Sequence, residues 1–374
     1  MKCTLLALAL IISLSCSGQT QMPELIDDNA FNAELDGVKI GLFNLQNENG
    51  LVVQITNYGG RVVSLWVPDK YGNFEDIVFG YESLDRYLNS SQNYFGAIVG
   101  RCVNRIANGK FTLNDTVYTL PKNNNAHHIN GGINGFNNVV WNVEKVDETI
   151  LVLTYLSPDM EEGYPGDLQV QVNYQLTEDN KFIIEYRATT NKPCPVNMTH
   201  HSFFNLHGAG SGSINDHIMQ INADYYTPVN NEVIPTGEIA KVEGTPMDFR
   251  KPTVINDRIN SDFEQLKFSG GYGHNWVLNQ SGNGLTFAAR LVEPVSGRVM
   301  EVYTNEPGLQ LYGGNNIAGF GTGKGGKVYG HRGGFCLESQ HYPDSPNQKN
   351  FPSIILYPGE KYYSICEYKF GVVE

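Results

Sequence analysis

The chain predicts an all-β fold, built as one large single-domain sandwich of sheets. Three observations carry that expectation. Long segments alternate apolar and polar residues with a period of two, which gathers an apolar face on one side of a strand. Turn formers and sheet-face aromatics are abundant, with 40 glycines, 17 prolines, 21 tyrosines and 18 phenylalanines among 374 residues. Helical patterning is confined to one short stretch, residues 81–89. The length alone would suggest two domains, but no repeat, low-complexity linker or charge run marks a boundary. Residues 31–374 therefore read as one domain, and 16–30 as a leader or tether.

Taken in order, the chain opens like an exported protein. Lys2 precedes an apolar run from Leu5 to Leu14, followed by Ser15-Cys16-Ser17-Gly18. A positive start, a short apolar core and a small-residue exit make a secretory signal over residues 1–15. Ser13-Leu14-Ser15 before Cys16 resembles a bacterial lipoprotein cleavage site, which predicts a lipid anchor at Cys16 and an envelope or periplasmic location. Ordinary cleavage without lipidation is the alternative.

LVVQITNYGG, residues 51–60, reads as the first clear strand. KFTLNDTVYTL, residues 110–120, reads as a hairpin turning near Asn114-Asp115. DLQVQVNYQL places Leu168, Val170, Val172, Tyr174 and Leu176 on one face. TEDN turns the chain, and KFIIEYRA answers with Phe182, Ile184, Tyr186 and Ala188. EKYYSICEYKFGV closes the sequence as a last strand. Cys102, Cys194, Cys336 and Cys366 are too scattered for a short metal motif and read as buried thiols.

The formal net charge of −13 argues against nucleic acid or an anionic membrane surface as a partner. A neutral polyol ligand needs no basic patch. The chemistry-bearing residues are Asn104-Arg105, His127-His128, His200-His201, His274 and Glu338. None forms a phosphate loop, a serine elbow or a metal-helix motif. Adjacent histidines on a strand point to opposite faces, so each pair offers one ligand per face and a metal site is not expected. A histidine acid facing a carboxylate base across a small ligand fits better, and it needs no cofactor.

Several motifs then share one likeness. They are GRCVNRIANGKF at 100–111, EEGYPGDLQVQVNYQLT at 161–177, MTHHSFFNL at 198–206, TNEPGLQLYGGN at 304–315, FCLESQHYPDSPN at 335–347 and YPGEKYYSICEYKF at 357–370. In this order they resemble the aldose 1-epimerases, the galactose mutarotases. The resemblance implies a galactose mutarotase-like β-sandwich with an open sugar cleft. It implies an isomerase that interconverts the α and β anomers of free aldoses. It makes His201 the acid at the ring oxygen and Glu338 the base at the anomeric hydroxyl, and it leaves His200 a structural role. It brings Asn104, Arg105 and Gln310 to the sugar hydroxyls, with structural ion pairing or sheet bonding as the alternative for Arg105 and Gln310.

Two positions depart from the family pattern. Asn130, in HHINGG, stands where a sugar-contacting histidine is expected, and His128 two residues before it is a candidate to reach the same cleft. Gly273, in GYGHNW, stands where the family has an aspartate that grips hydroxyls. The expectation is an intact acid–base pair with an altered sugar grip. A sugar-binding protein without activity, or a related epimerase, is the competing reading.

Overall fold

The computed structural model describes residues 21–373, except 36, 281–283 and 318–321. The signal expected over 1–15 and the anchor expected at Cys16 lie outside the described residues. Residues 21–30, expected as part of a tether, lie against the domain. The Gln54 side chain accepts the Ile26 N–H and donates to the Ile26 carbonyl, and Phe74 N–H donates to the Gln21 carbonyl.

The alternating segments become a nine-stranded antiparallel sheet. Its order is Asn142–Val146, Ile150–Ser157, Leu168–Leu176, Lys181–Thr190, Tyr362–Val372, Arg298–Thr304, Thr286–Val292, Ile218–Ile221, Thr253–Val254. The hairpin register pairs Leu168 with Thr190 and Leu176 with Phe182. All nine apolar residues expected on its inner face are buried. Each such side chain contributes roughly 1.5–3 kcal/mol by leaving water. A one-residue slip would expose the whole set, so the pattern fixes the register. The hairpin at 110–120 turns where expected, with Asn114 and Asp115 both at positive φ (48° and 60°), a conformation these two residue types tolerate. The helix expected near 81–89 spans Leu84–Leu88, and the Ser83 hydroxyl caps it by accepting the Arg86 N–H. A second helix, Glu264–Ser269, was not expected.

A five-stranded sheet runs in the order Ala240–Lys241, Tyr225–Thr227, Gly273–Val277, Gly308–Tyr312, Cys336–Gln340. Its inner face carries Trp276, Leu309, Leu311 and Leu337 into one core with Val170, Met300, Tyr368 and Phe370 of the larger sheet. A four-stranded sheet, Leu42–Gln46, Val52–Thr56, Arg61–Pro68, Phe74–Asp76, adds Leu45, Val53 and Leu65 to that core. The outer face of the five-stranded sheet is different. Thr227, Asn275, Gln310 and Glu338 are successive cross-strand partners, so they form one polar row across four strands. That row is the floor of the site.

Candidate active site

His201 ends the short strand Thr199–His201, which pairs with Ala97–Val99. The Thr199 hydroxyl donates to the Ser339 carbonyl, tying this strand to Cys336–Gln340. The result brings two residues 137 positions apart in sequence into contact: His201 Nε2 lies 3.7 Å from Glu338 Oε1. Both residues are buried, at 7% and 3% exposure. The Tyr94 and Phe203 rings lie nearly parallel to the imidazole, at centroid distances of 5.6 and 5.0 Å.

Burial sets the protonation of this pair. It pushes the Glu338 carboxyl up to about 8, against the opposing pull of the Arg105 charge. It pushes the His201 imidazole down to about 4. Between those limits the pair holds one proton, which rests on the carboxyl. A proton shared between two groups this close titrates as a property of both. One group can then give a proton while the other takes one, with no net exchange with water.

The Arg105 charge acts on the same carboxylate. It lies in the strand Arg105–Ile106, which is held antiparallel to His128–Ile129. Its Nε donates to the Asn124 side-chain carbonyl, and its charge reaches Glu338 and Tyr312. Asn104 precedes it at φ 62°, in the left-handed region that asparagine enters more readily than most residues. Asn130 explains how that conformation is held. Its side-chain carbonyl accepts the Asn104 N–H at 2.8 Å, and its own N–H donates to the Asn104 carbonyl at 3.0 Å. Asn130 thus buttresses the Asn104-Arg105 corner.

Asn104, Arg105, Gly273, Asn275 and Gln310 line one small cavity with Thr227, Val233 and Pro343. Gln310 Oε1, Asn275 Oδ1 and, at the next position of the outer face, Gln340 Oε1 are buried without a hydrogen-bond partner. Unmet buried acceptors are rare and costly, so three along one sheet face point to a ligand rich in hydroxyl donors. The cavity encloses only about 10 Å³, far below the roughly 300 Å³ at which small-molecule sites begin. Val233 forms part of its wall and sits at φ 60°, where a β-branched side chain is strained. Larger depressions occur elsewhere, such as that lined by Gln169, Gln171, Arg187 and Tyr363; the small cavity is joined to the acid–base pair through Gln310, the cross-strand partner of Glu338.

Other expected residues fall outside this group. His128 does not join it. Its Nδ1 donates to the Pro121 carbonyl and its Nε2 accepts the Tyr164 hydroxyl, at 2.8 and 2.7 Å, so both nitrogens are used inside the core. His200 faces Phe182 and Tyr368 on the opposite side of its strand from His201. His274 pairs with Leu311 and packs against Tyr226 on the inner side of the sheet. Gly273 lies on the outer side, where an added Cβ would stand 3.0 Å from the Ser269 Cβ. Sequence reasoning took Cys336 only as a buried thiol, which it is, and did not single out Tyr94, Asn275 or Val233. A period of two places Cys336 on the same strand face as Glu338 and could have flagged it. Nothing local flags Tyr94 or Val233.

Among the described residues, two groups have metal-ligand atoms within 4.8 Å: His201, Cys336, Glu338 and His207, Asp216, Glu293. In the first, burial drives the Cys336 thiol well above its ordinary pKa, which disfavours the thiolate a metal requires. In the second, Asp216 also accepts from His217, and the Glu293 carboxylate takes the N–H groups of Val295 and Ser296. That group reads as an ion-pair network.

The family model for aldose 1-epimerase matches residues 41–369. The chain belongs to the aldose 1-epimerase family. As a member it is an isomerase. It is 43% identical over 336 residues to the galactose mutarotase of Rattus norvegicus, covering 90% of this chain and 95% of that protein. It is 36% identical to the aldose 1-epimerase of Escherichia coli K12, covering 90% and 96%. The solved galactose 1-epimerase of Lactobacillus acidophilus superposes with a TM-score of 0.79 at 30% identity, covering 92% and 98%. The aldose epimerase homologue of Caenorhabditis elegans superposes at 0.83 with 27% identity, covering 90% and 100%.

Proposed function

We propose that this aldose 1-epimerase interconverts the α and β anomers of free hexoses of the galactose and glucose type through His201 and Glu338. Glu338, as carboxylate, takes the proton of the anomeric hydroxyl. His201, as imidazolium, gives its Nε2 proton to the ring oxygen. The C1–ring oxygen bond breaks as the C1 carbonyl forms. The open chain rotates about C1–C2, and the ring recloses with both protons returned. The working state requires the resting proton to pass from Glu338 to His201. The Arg105 charge favours that shift, because it stabilises the carboxylate. Asn104, Arg105 and Gln310 bind the sugar hydroxyls, and Asn130 acts through Asn104.

The observation that carries this reading is the 3.7 Å approach of the two buried groups. A protein that only binds sugar has no use for a shared buried proton. The test is anomer exchange of galactose by NMR with wild type, Glu338→Gln and His201→Asn. Strong enhancement by wild type and near-background exchange in both variants is expected. Background exchange in all three would favour the binder.

The missing side chain at Gly273 supports a changed sugar grip, since it removes the carboxylate of the family pattern and leaves the Ser269 hydroxyl beside that position. A panel of aldoses tests this, and galactose turning over best with ordinary affinity would refute it. Residues 1–18 support export and lipidation at Cys16. Intact mass of envelope-purified protein tests that, because a mature chain starting elsewhere than Cys16, or unacylated, would contradict it.

A further inference from the structure

We propose that a polar cleft beside the small cavity binds the second sugar unit of a reducing disaccharide, with His127 as its buried donor. The enzyme then acts on the free end of short oligosaccharides as well as on single hexoses. The inference rests on the small cavity at Gln310 being the seat of the reacting sugar.

The cleft has a volume of about 460 Å³, within the roughly 300–1,000 Å³ of small-molecule sites, whereas the small cavity has about 10 Å³. Three stretches of chain line both. Asn104 and Arg105 line the small cavity, and Ala107 and Asn108 line the cleft. Pro343 lines the first and Asp344 the second. In the loop 229–235 the residues divide: Val229, Val233 and Pro235 line the small cavity, and Asn230, Glu232 and Ile234 line the cleft. That loop is the partition between the two. A pyranose ring enters the small cavity only if the partition yields, and the free space lies on the cleft side. The two spaces then form one groove, with room for a second unit next to the first.

His127 points to the ligand. It is 3% exposed, and its Nδ1 accepts the Asn108 N–H at 3.0 Å. A backbone N–H only donates, so the ring hydrogen is on Nε2. Nε2 is buried and has no hydrogen-bond partner. The exposed Glu232 carboxylate stands 3.8 Å away, beyond hydrogen-bond range. One hydroxyl oxygen at about 2.8 Å from each would accept from the imidazole and donate to the carboxylate. An unmet buried donor is costly, and a sugar hydroxyl satisfies it. The buried carboxylate of the cleft, Asp344, is already used: it accepts the Ala107 N–H and the side-chain amides of Asn347 and Gln348. Those two amides keep their carbonyls free, and the Asn108 side chain makes no hydrogen bond among the described residues. A buried neutral donor among amides suits a neutral polyol, and it offers an anion only the exposed Lys110. The cleft is also tied to the reacting sugar's corner. Asn124 exchanges two backbone hydrogen bonds with His127, and its side chain accepts from Arg105 Nε.

The test compares glucose with maltose, cellobiose and isomaltose, which present the same reducing glucose with a second unit in three linkages. Anomer exchange by NMR gives kcat/KM, and calorimetric titration gives Kd without turnover. At least one disaccharide is expected to surpass glucose by about tenfold in both, as for two or so added hydrogen bonds. His127→Asn removes the buried donor while its side-chain carbonyl can still accept the Asn108 N–H. Asn108→Gly removes the free amide at φ 57°, where glycine is unstrained. Each is expected to lower the disaccharide preference about three- to tenfold, with a cooperative melt and the glucose values held within about twofold. Glucose equal to or better than every disaccharide in wild type overturns the proposal, and so does a preference that both variants retain. A binding preference for a disaccharide with no exchange of any sugar above background would keep the cleft assignment and remove the acid–base reading. Glucose exchange without any disaccharide preference would do the reverse.

Discussion

Replacing Glu338 by glutamine should make the protein more stable in alkali while abolishing its chemistry. The carboxyl is buried and held at about 8, against an ordinary 4.5. Below about pH 4.5 the group is protonated in both folded and unfolded chains and costs nothing. As pH rises from 4.5 to 8, the unfolded chain releases this proton and the folded chain does not. Stability is therefore lost across that window and stays low above it. The full difference corresponds to about 5 kcal/mol, which relaxation and water entry reduce to about 3 kcal/mol. Glutamine has nearly the same shape and no proton to lose. For a chain of this length the unfolding entropy is roughly 0.7 kcal/mol/K, so about 3 kcal/mol is ~4 °C in Tm. The assay is scanning calorimetry of wild type and Glu338→Gln from pH 4.5 to 9. The gap in Tm should open from near zero to about 4 °C in favour of the variant. A gap that stays constant with pH would refute the reasoning that burial holds this carboxyl neutral.

Further outcomes follow from the same site. With background subtracted, kcat/KM for anomer exchange should be flat between about pH 4 and about pH 8 and fall outside those limits, because only there does the pair hold one proton. A single inflection near 6.5 would contradict that. Gln310→Leu removes an unmet buried acceptor, so KM should rise about tenfold with little change in kcat, while the sugar-free protein keeps its Tm. His128→Phe breaks two core hydrogen bonds and should lower stability by about 1–3 kcal/mol with KM unchanged; a raised KM would return His128 to the cleft. Val233→Gly relieves a strained backbone, worth about 1–2 kcal/mol, and widens the cavity. Its Tm should hold or rise and its KM fall, and a marked loss of Tm would show that Val233 is not strained.

The fold was legible wherever one face of a strand is buried and the other wet. Leu168 to Leu176 alternates because its sheet has a core side and a solvent side. Short bridging strands such as Ala240–Lys241 and Thr253–Val254 carry too few residues for a period and were not seen. The helix Glu264–Ser269 spans under two turns, too little for an amphipathic stripe. At the site, opposite faces of a strand correctly separated His200 from His201. The contact between His201 and Glu338 depends on sheet order, which no local pattern encodes; the motif likeness supplied it. His128 and Asn130 look alike as polar loop residues. Only the backbone at Asn104 and the hydroxyl of Tyr164 decide that one supports the corner and the other faces the core.

The most direct test of the shared-proton pair is a crystal structure with a bound hexose. The expected result is Glu338 Oε within ~3 Å of the anomeric oxygen and His201 Nε2 within ~3 Å of the ring oxygen, with Val233 displaced to admit the ring. A sugar whose C1 lies away from both groups, seated on other residues, would contradict the account.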